Sequence, residues 1–158
     1  MTDALPARSQ LVAARLREAG ITGEIRVLPD AASTAALAAA ALGVEVGAIA
    51  NSLIFLADGE PLLVMTSGAH RVDTAALAQR LGLTRIARAG ADQVRDATGQ
   101  AIGGVAPTGH PAPIRTVVDE ALAEYPQLWA AGGTPHTVFP LTFDELVSLT
   151  GAPVVRVD

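Results

Sequence analysis

The sequence contains no cysteine and no lysine, and each absence excludes a class of chemistry. Without cysteine the chain cannot form disulfides, thiolate nucleophiles or cysteine-ligated zinc and iron–sulfur sites. Without lysine it cannot form Schiff bases, and all eleven of its basic residues are arginine. Aromatic residues are also scarce, at 3 %. The core must therefore be built from small aliphatic side chains, and alanine alone supplies 32 residues.

Long apolar runs are absent as well, and none approaches the roughly 20 residues that span a bilayer. The first residues show no basic segment followed by an apolar one, so a cytoplasmic protein without a membrane partner is expected. The net charge is −5 and there is no basic tract, which makes duplex DNA or any long nucleic acid an improbable ligand. The end of a nucleic acid in a small pocket remains compatible with this charge. We expect residues 1–158 to form one domain.

Helix and strand patterns alternate irregularly along the chain, and glycines close most of the helices. The hairpin of 52–56 and 61–66 around Asp58-Gly59 is the clearest pattern. We expect Ser9, Asp73 and Thr142 to cap helices. The predicted helices are 8–19, 33–42, 73–81, 91–98 and 143–149. The predicted strands are 23–29, 48–57, 61–66, 84–87, 114–119, a short piece after Trp129, 136–141 and 154–157. Short helices mixed with hairpins indicate an α+β fold with a mixed sheet.

Two glycine-rich breaks interrupt these elements, at 103–109 and at Gly132-Gly133. Glycine lets a backbone approach a ligand closely, and consecutive free N–H groups in the first break could hold an anion or a carbonyl oxygen. The spacing fits neither a P-loop nor a dinucleotide fingerprint. Both breaks could equally be structural turns or bulges. The sequence leaves open whether they face each other across one cleft.

The remaining polar residues form no recognisable catalytic set. His70 and Asp73 are three residues apart, but a capping role for Asp73 is favoured over a metal pair. His110 and His136 are expected in surface loops. No serine lies in a nucleophile elbow, and the adjacent acids 119–120 and 144–145 are expected on solvated faces or in first helical turns. Neither a metal nor an organic cofactor is predicted.

Several stretches together resemble the YbaK/EbsC family, the free-standing relatives of the editing domain of bacterial prolyl-tRNA synthetase. They span most of the chain from about residue 33 onward, and the G-x-x-x-P loop Gly103–Pro107 is the most specific of them. The matching stretches are 46–55, 67–73, 101–110, 129–133 and 143–152.

The resemblance implies a mixed, partly barrel-like sheet surrounded by short helices. It also implies hydrolysis, without a cofactor, of the ester that joins a wrong small amino acid to tRNA(Pro) or another tRNA. The partner would be the 3′ end of the aminoacyl-tRNA, and a synthetase or an elongation factor is a further partner. In the family, the loop holds the ester by backbone groups, while a water and the substrate's own ribose hydroxyl provide much of the activation.

The resemblance also assigns roles to individual residues. Gly103, Gly104 and Pro107 would shape the ester site, and Asn51 would orient the terminal nucleotide or the water. The substrate-binding residues would be Ser52, Ser67, Arg71, Gly132 and Gly133.

One position departs from the family pattern, because Asn51 stands where the family usually has a lysine that holds the phosphate and terminal adenosine. Asparagine can form hydrogen bonds but has no charge. Arg71, in a neighbouring loop, is a candidate to supply that charge. Three functions therefore stay open: a deacylase, a weakened or inactive binding module of the same fold, and a hydrolase of other small esters.

Overall fold

The computed structural model describes residues 5–158. Within this range the chain forms five α-helices and eight strands. The helices are α1 (Ala7–Glu18), α2 (Ala35–Leu42), α3 (Thr74–Leu81), α4 (Ala91–Thr98) and α5 (Phe143–Thr150). The strands are β1 (Arg26–Val27), β2 (Ile49–Ala57), β3 (Glu60–Ser67), β4 (Ile86–Arg88), β5 (Arg115–Asp119), β6 (Leu128–Ala131), β7 (Thr137–Leu141) and β8 (Val154–Val155). Two 3₁₀ turns, Val46–Ala48 and Glu120–Glu124, complete the described elements.

All eight strands belong to one mixed sheet. Their order is β1-β7-β6-β2-β3-β5-β8, and β4 pairs separately with β2. The β2–β6, β3–β5 and β5–β8 pairs are parallel, whereas the other four are antiparallel. The two ends of the order, β1 and β8, do not pair, so the sheet stays open. The predicted α+β class with a mixed sheet is confirmed.

Local capping explains why the helices end where they do. Thr34, Asp73 and Thr142 each accept an N–H bond from the first turn of the following helix, as residue types with a short side-chain oxygen do. Gly43 and Gly82 end α2 and α3 with positive φ angles of 67° and 70°. The ends of α2 at Leu42 and of α3 at Leu81 match the predicted ends, while α2 begins two residues and α3 one residue after its predicted start.

Two local predictions at the N-terminal part of the chain are wrong. Ser9 does not cap α1, because the helix begins two residues earlier, after Pro6. Ser9 instead lies buried inside the helix, and its hydroxyl donates to Thr137 Oγ1 at 3.1 Å. The predicted strand 23–29 shrinks to the two residues of β1, which pair with β7 at the edge of the sheet.

The apolar residues form three clusters on the two faces of the sheet. The largest packs α1 and α5 on one face. On the other face, one cluster lies beneath α2 and includes Ile49, and another lies beneath α3 and includes Leu53 and Phe55. Alternate residues of a strand share a face, so Asn51 lies between these last two clusters. A polar side chain therefore occupies the gap between two small cores.

No helix among residues 5–158 combines the length and the apolar character needed to cross a membrane.

Candidate functional site

A gap in the sheet creates a cleft beside β2. Strand β6 pairs with residues 49–50 of β2, and β4 pairs with residues 55–57 of the same strand. Between these two ladders, the edge of β2 at 51–54 meets no strand among the described residues. The cleft opens along this unpaired edge, where backbone and side chains of a central strand stay accessible.

The inner part of the cleft lies between sheet residues and two covering segments. Its floor comes from β2, β6 and β7, and its roof from the start of α2 and from the glycine loop at Gly103. None of the sixteen residues that line it carries a carboxyl, amino or imidazole group. Its polar groups are therefore backbone amides, hydroxyls, the amide of Asn51 and the indole N–H of Trp129, which can position a substrate but cannot act as a strong base.

The outer part of the cleft continues from Asn51 along the strand. Leu53 and Phe55 form its base, and Arg88 and Ile102 stand at its rim. Asn51, Ser52 and Gly103 line both parts. These three predicted site residues are therefore brought together by the fold.

The conformation of Gly103 lets the loop approach the start of α2. Its φ angle is +84°, in the left-handed region that favours glycine, and a Cβ atom added there would lie 3.0 Å from the Cβ of Ser33. Gly104 is enclosed more tightly, because an added Cβ would overlap the backbone of Thr134. The first glycine break thus packs directly on the segment that follows the second one.

Between Gly103 and Ala106 every second amide of the loop donates a hydrogen bond within the chain. The Gly104 N–H donates to Ala101 O at 2.9 Å, and the Ala106 N–H donates to Gln100 Oε1 at 2.7 Å. The N–H groups of Gly103 and Val105 have no acceptor among residues 5–158, and both residues line the cleft. Between Gly103 and Ala106 the amides without an acceptor therefore belong to alternate residues, whereas Thr108 and Gly109 are consecutive residues whose N–H groups have no acceptor within residues 5–158.

Two side chains hold the loop in this shape. Gln100 is 2 % exposed, accepts the Ala106 amide and donates to Thr108 O at 3.2 Å. His110 Nε2 lies 2.8 Å from Ala106 O, so the imidazole donates from this nitrogen. Burial lowers the pKa of His110, while the hydrogen bond to Ala106 opposes that shift. His110 is therefore a partly buried anchor of the loop, not the surface residue expected from the sequence.

The glycine pair at 132–133 lies behind the cleft wall. Both residues are buried, and neither lines the cleft. An added Cβ would meet Thr137 at Gly132 and the backbone of Arg8 at Gly133, so close packing explains both glycines. Their neighbours Ala131 and Thr137 form that part of the wall instead.

Three further predicted residues also support the site from outside the cleft. Gly104 is buried against Thr134, and Pro107 is buried on the far side of the loop. Ser67 is 1 % exposed and donates its hydroxyl to Gly47 O at 2.8 Å. Arg71, by contrast, is exposed beside Asn51 in a separate recess.

Sequence reasoning missed several residues of the cleft wall. The hydroxyl of Thr137 accepts from Ser9 and lies 3.0 Å from that of Thr134, which fixes this side of the wall. Trp129 forms another wall, and the guanidinium of Arg26 lies 4.8 Å from the centre of its ring. Trp129 is the only tryptophan in the sequence, and this could have marked it as a candidate wall residue.

Asp119 was also mispredicted, because it does not lie on a solvated face. It is fully buried at the end of β5, and its Oδ2 atom lies 3.0 Å from Nδ1 of His70. The same oxygen accepts from the Ser67 amide, while Oδ1 accepts from the Ala121 amide. The carboxylate thereby ties the segment after β3 to the sheet. The described residues contain no group of three potential metal ligands, and Asp73 caps α3 as predicted.

Comparison with known proteins assigns the family. The sequence profile of the aminoacyl-tRNA editing domain matches residues 29–149, and the chain belongs to this family. None of the curated proteins compared with the chain matches it significantly.

Solved structures agree with this assignment. One is a protein described as a candidate trans-editing enzyme for prolyl tRNA synthetase, with 39 % identity, a TM-score of 0.89 and coverage of 98 % of this chain and 99 % of that one. Another comes from work on grafting epitope backbones onto scaffold proteins, with 37 % identity, a TM-score of 0.89 and 98 % coverage of both chains. The hypothetical protein APE2540 shares 30 % identity over 93 % of this chain and 98 % of its own, with a TM-score of 0.86.

Proposed function

We propose that the protein hydrolyses the ester bond of a mischarged aminoacyl-tRNA as a free-standing enzyme. The observation that carries this proposal is the pair of unengaged amides at Gly103 and Val105, two residues that line a cleft together with Asn51. Backbone N–H groups without an intramolecular acceptor are suited to a carbonyl oxygen that gains negative charge. The family assignment and the candidate trans-editing relative support the choice of substrate.

The proposed reaction needs no chemical group beyond water and the substrate. A water oxygen attacks the carbonyl carbon of the ester, and the bond between that carbon and the ribose oxygen breaks. The ribose oxygen takes up a proton, so the products are the free amino acid and the uncharged tRNA. The cleft supplies no base, and the neighbouring ribose hydroxyl of the substrate therefore orients the water. Gly103 and Val105 stabilise the oxyanion, while Asn51 positions the terminal nucleotide or the water.

The size of the inner cleft favours a small amino acid. Trp129, Ile49 and Val138 enclose it, and its cavity volume is about 30 Å³. Since one water molecule needs roughly 10–15 Å³ of such volume, only a side chain of one or a few heavy atoms fits without movement of the walls. Alanine on a non-cognate tRNA is the first substrate to try.

A panel of mischarged tRNAs tests the proposal directly. The purified protein should release the amino acid from at least one small-residue tRNA. Gly103→Ala should lower kcat roughly tenfold or more, because the strained backbone displaces an oxyanion donor. Gly90→Ala is a matched control, since Gly90 has an ordinary φ of −76° and lies outside the cleft. Absence of release across the whole panel, or equal activity of both variants, would refute the proposal.

The uncharged Asn51 favours a second candidate function, a binding module that retains the fold without turnover. This candidate predicts that the protein binds the 3′ end of a tRNA while all esters in the panel stay intact. Measuring binding and release on the same mischarged tRNAs separates the two functions.

A further inference from the structure

A second recess adjoins the cleft at Asn51 and has a different chemical character. Leu53 and Phe55 form its apolar base, and its basic side chains are His70, Arg71 and Arg88. Nine residues line this recess, and none of them is acidic, although the chain has sixteen acidic residues and a net charge of −5. The recess is thus a local positive site on a negatively charged protein.

The two arginines of the recess carry uncompensated charges. Arg71 follows β3 and Arg88 ends β4, and both are exposed. Neither forms an ion pair within the described part of the chain. A guanidinium offers a planar set of donors that matches phosphate oxygens, and such pairs are frequently bidentate.

The imidazole of His70 is fixed in place from beneath. Its Nδ1 atom lies 3.0 Å from the buried Asp119 carboxylate, and no partner among residues 5–158 contacts Nε2. Asp119 is also bonded to Thr66 and Ser67, so the segment that carries both His70 and Arg71 is anchored. The nearby Asp158 is occupied by Arg156, whose hydrogen bond is the main cause of its lowered pKa, and His70 makes a smaller contribution.

The position of Arg88 connects the recess with the cleft. Its side chain lines both the recess and the outer part of the cleft, and Asn51 lies at the junction of all three spaces. A single-stranded RNA whose terminal ester occupied the inner cleft would carry its phosphates through this junction.

We propose that His70, Arg71 and Arg88 bind a phosphodiester group of that single strand, close to its aminoacylated end. The inference rests on the proposed function, because it takes the RNA end as the ligand. The positive charge that is absent at Asn51 is then supplied by Arg88 at the end of β4 and by Arg71 in the segment after β3. With only two arginines in the recess, the protein holds a short single strand and not an extended duplex.

The test uses an uncharged RNA, so that binding is measured without hydrolysis. The probe is a 5′-fluorescein-labelled single-stranded RNA hexamer that ends in CCA, followed by fluorescence anisotropy between 25 and 200 mM KCl. Arg88→Gln and Arg71→Gln should each weaken binding at least threefold. Each should also reduce the slope of log affinity against log salt by about 0.7, the value for one contact to a single strand. Arg85→Gln is the matched control, because it removes an exposed arginine that lines neither the cleft nor the recess.

Equal effects of Arg88→Gln and Arg85→Gln would overturn the inference, as would failure of the wild-type protein to bind the hexamer. Inorganic phosphate should displace the hexamer no better than KCl of equal ionic strength, and stronger displacement would contradict the commitment to RNA. If binding depends on the arginines but no amino acid is released, the proposed deacylase is refuted and the proposed phosphodiester site is supported. If the protein deacylates and Arg88→Gln leaves the KM and the salt dependence unchanged, the proposed phosphodiester site is refuted and the deacylase is supported.

Discussion

Asn51 is the residue at which the cleft and the recess meet. It lies on a central strand between two apolar clusters, and its side chain is partly exposed to both spaces. Under the proposed function, this side chain would contact the terminal nucleotide. Asn51 has no charge, and a cationic side chain at this position would lie close to any phosphate in the recess. A substitution that adds a positive charge could therefore increase the activity.

Asn51→Lys is therefore expected to raise kcat/KM for the best mischarged tRNA by up to about tenfold. The estimate comes from the difference of about 1.4 kcal/mol between a charged and a neutral hydrogen bond. Steady-state deacylation at low substrate concentration measures the change. Asn51→Gln is the control, because it extends the side chain and retains an uncharged amide. A Lys variant no faster than the Gln variant would show that charge at this position does not limit the reaction.

The sequence indicated candidate ligand-binding residues, but it did not indicate which residues far away in the chain contact them and fix their positions. Asn51, Ser52 and Gly103 line one cleft, and the roles that the resemblance gives them stay predictions. The His70–Asp119 pair could not be foreseen, because its members lie 49 residues apart and meet only through the parallel pairing of β3 with β5. An acidic dipeptide at the end of a predicted strand is ordinarily exposed, and nothing local distinguishes Asp119.

At the scale of elements, the loop from Gly99 to His110 is stabilised by side chains more than by backbone ladders. Gln100 bonds to Ala106 and Thr108, and His110 bonds to the carbonyl of Ala106. Because the amides of Gly103 and Val105 are positioned by this loop, the two anchors act on the site through the backbone. Neither residue lines the cleft, so under the proposed function both are positioning residues.

Gln100→Ala should lower the free energy of unfolding by about 2–4 kcal/mol, because it leaves the buried Ala106 amide without an acceptor. Deacylase activity should fall with it, since Val105 is no longer held. Urea denaturation of the variant and the wild type measures the loss. Gln79→Ala on the exposed face of α3 serves as control and should stay within about 0.5 kcal/mol. Equal stability of the two variants would show that Gln100 does not hold the loop.

Most elements could be predicted because their signals are local. The hairpin of β2 and β3 follows from Asp58-Gly59, whose φ angles of 49° and 88° suit a tight turn. Capping residues likewise fixed α2, α3 and α5. The strand predicted at 23–29 failed because its length depends on a partner, and only two of its residues pair with β7. Alternation of apolar residues does not show where a neighbouring strand ends.

At the scale of the molecule, the cleft exists because β6 and β4 cover different parts of β2. Neither this strand order nor the resulting gap can be derived from a linear sequence, because both depend on long-range pairing. The first glycine break packs on the segment after the second, through Gly104 and Thr134, and only the first break reaches the cleft. The glycines at 132–133 allow close packing behind the cleft wall. From the sequence alone, a glycine needed for packing cannot be distinguished from one that contacts a ligand.

The stability of the whole molecule should depend on pH through His110. Burial lowers its pKa in the folded chain below the ordinary value of 6.5. As the pH falls through 6.5, the unfolded chain binds a proton that the folded chain does not, so the free energy of unfolding decreases until the pH reaches the folded pKa. His110→Gln retains a donor for Ala106 O but does not titrate.

Urea denaturation at pH 7.5, 6.5, 5.5 and 5.0 compares the two proteins. Between pH 7.5 and 5.0 the wild type should lose more stability than His110→Gln, because their other titratable groups are the same. His136→Gln is the matched control, since it removes an exposed histidine and should follow the wild-type profile. Parallel profiles for the wild type and His110→Gln would mean that the folded chain accepts a proton at His110 as readily as the unfolded chain, and that its burial does not link loop structure to pH.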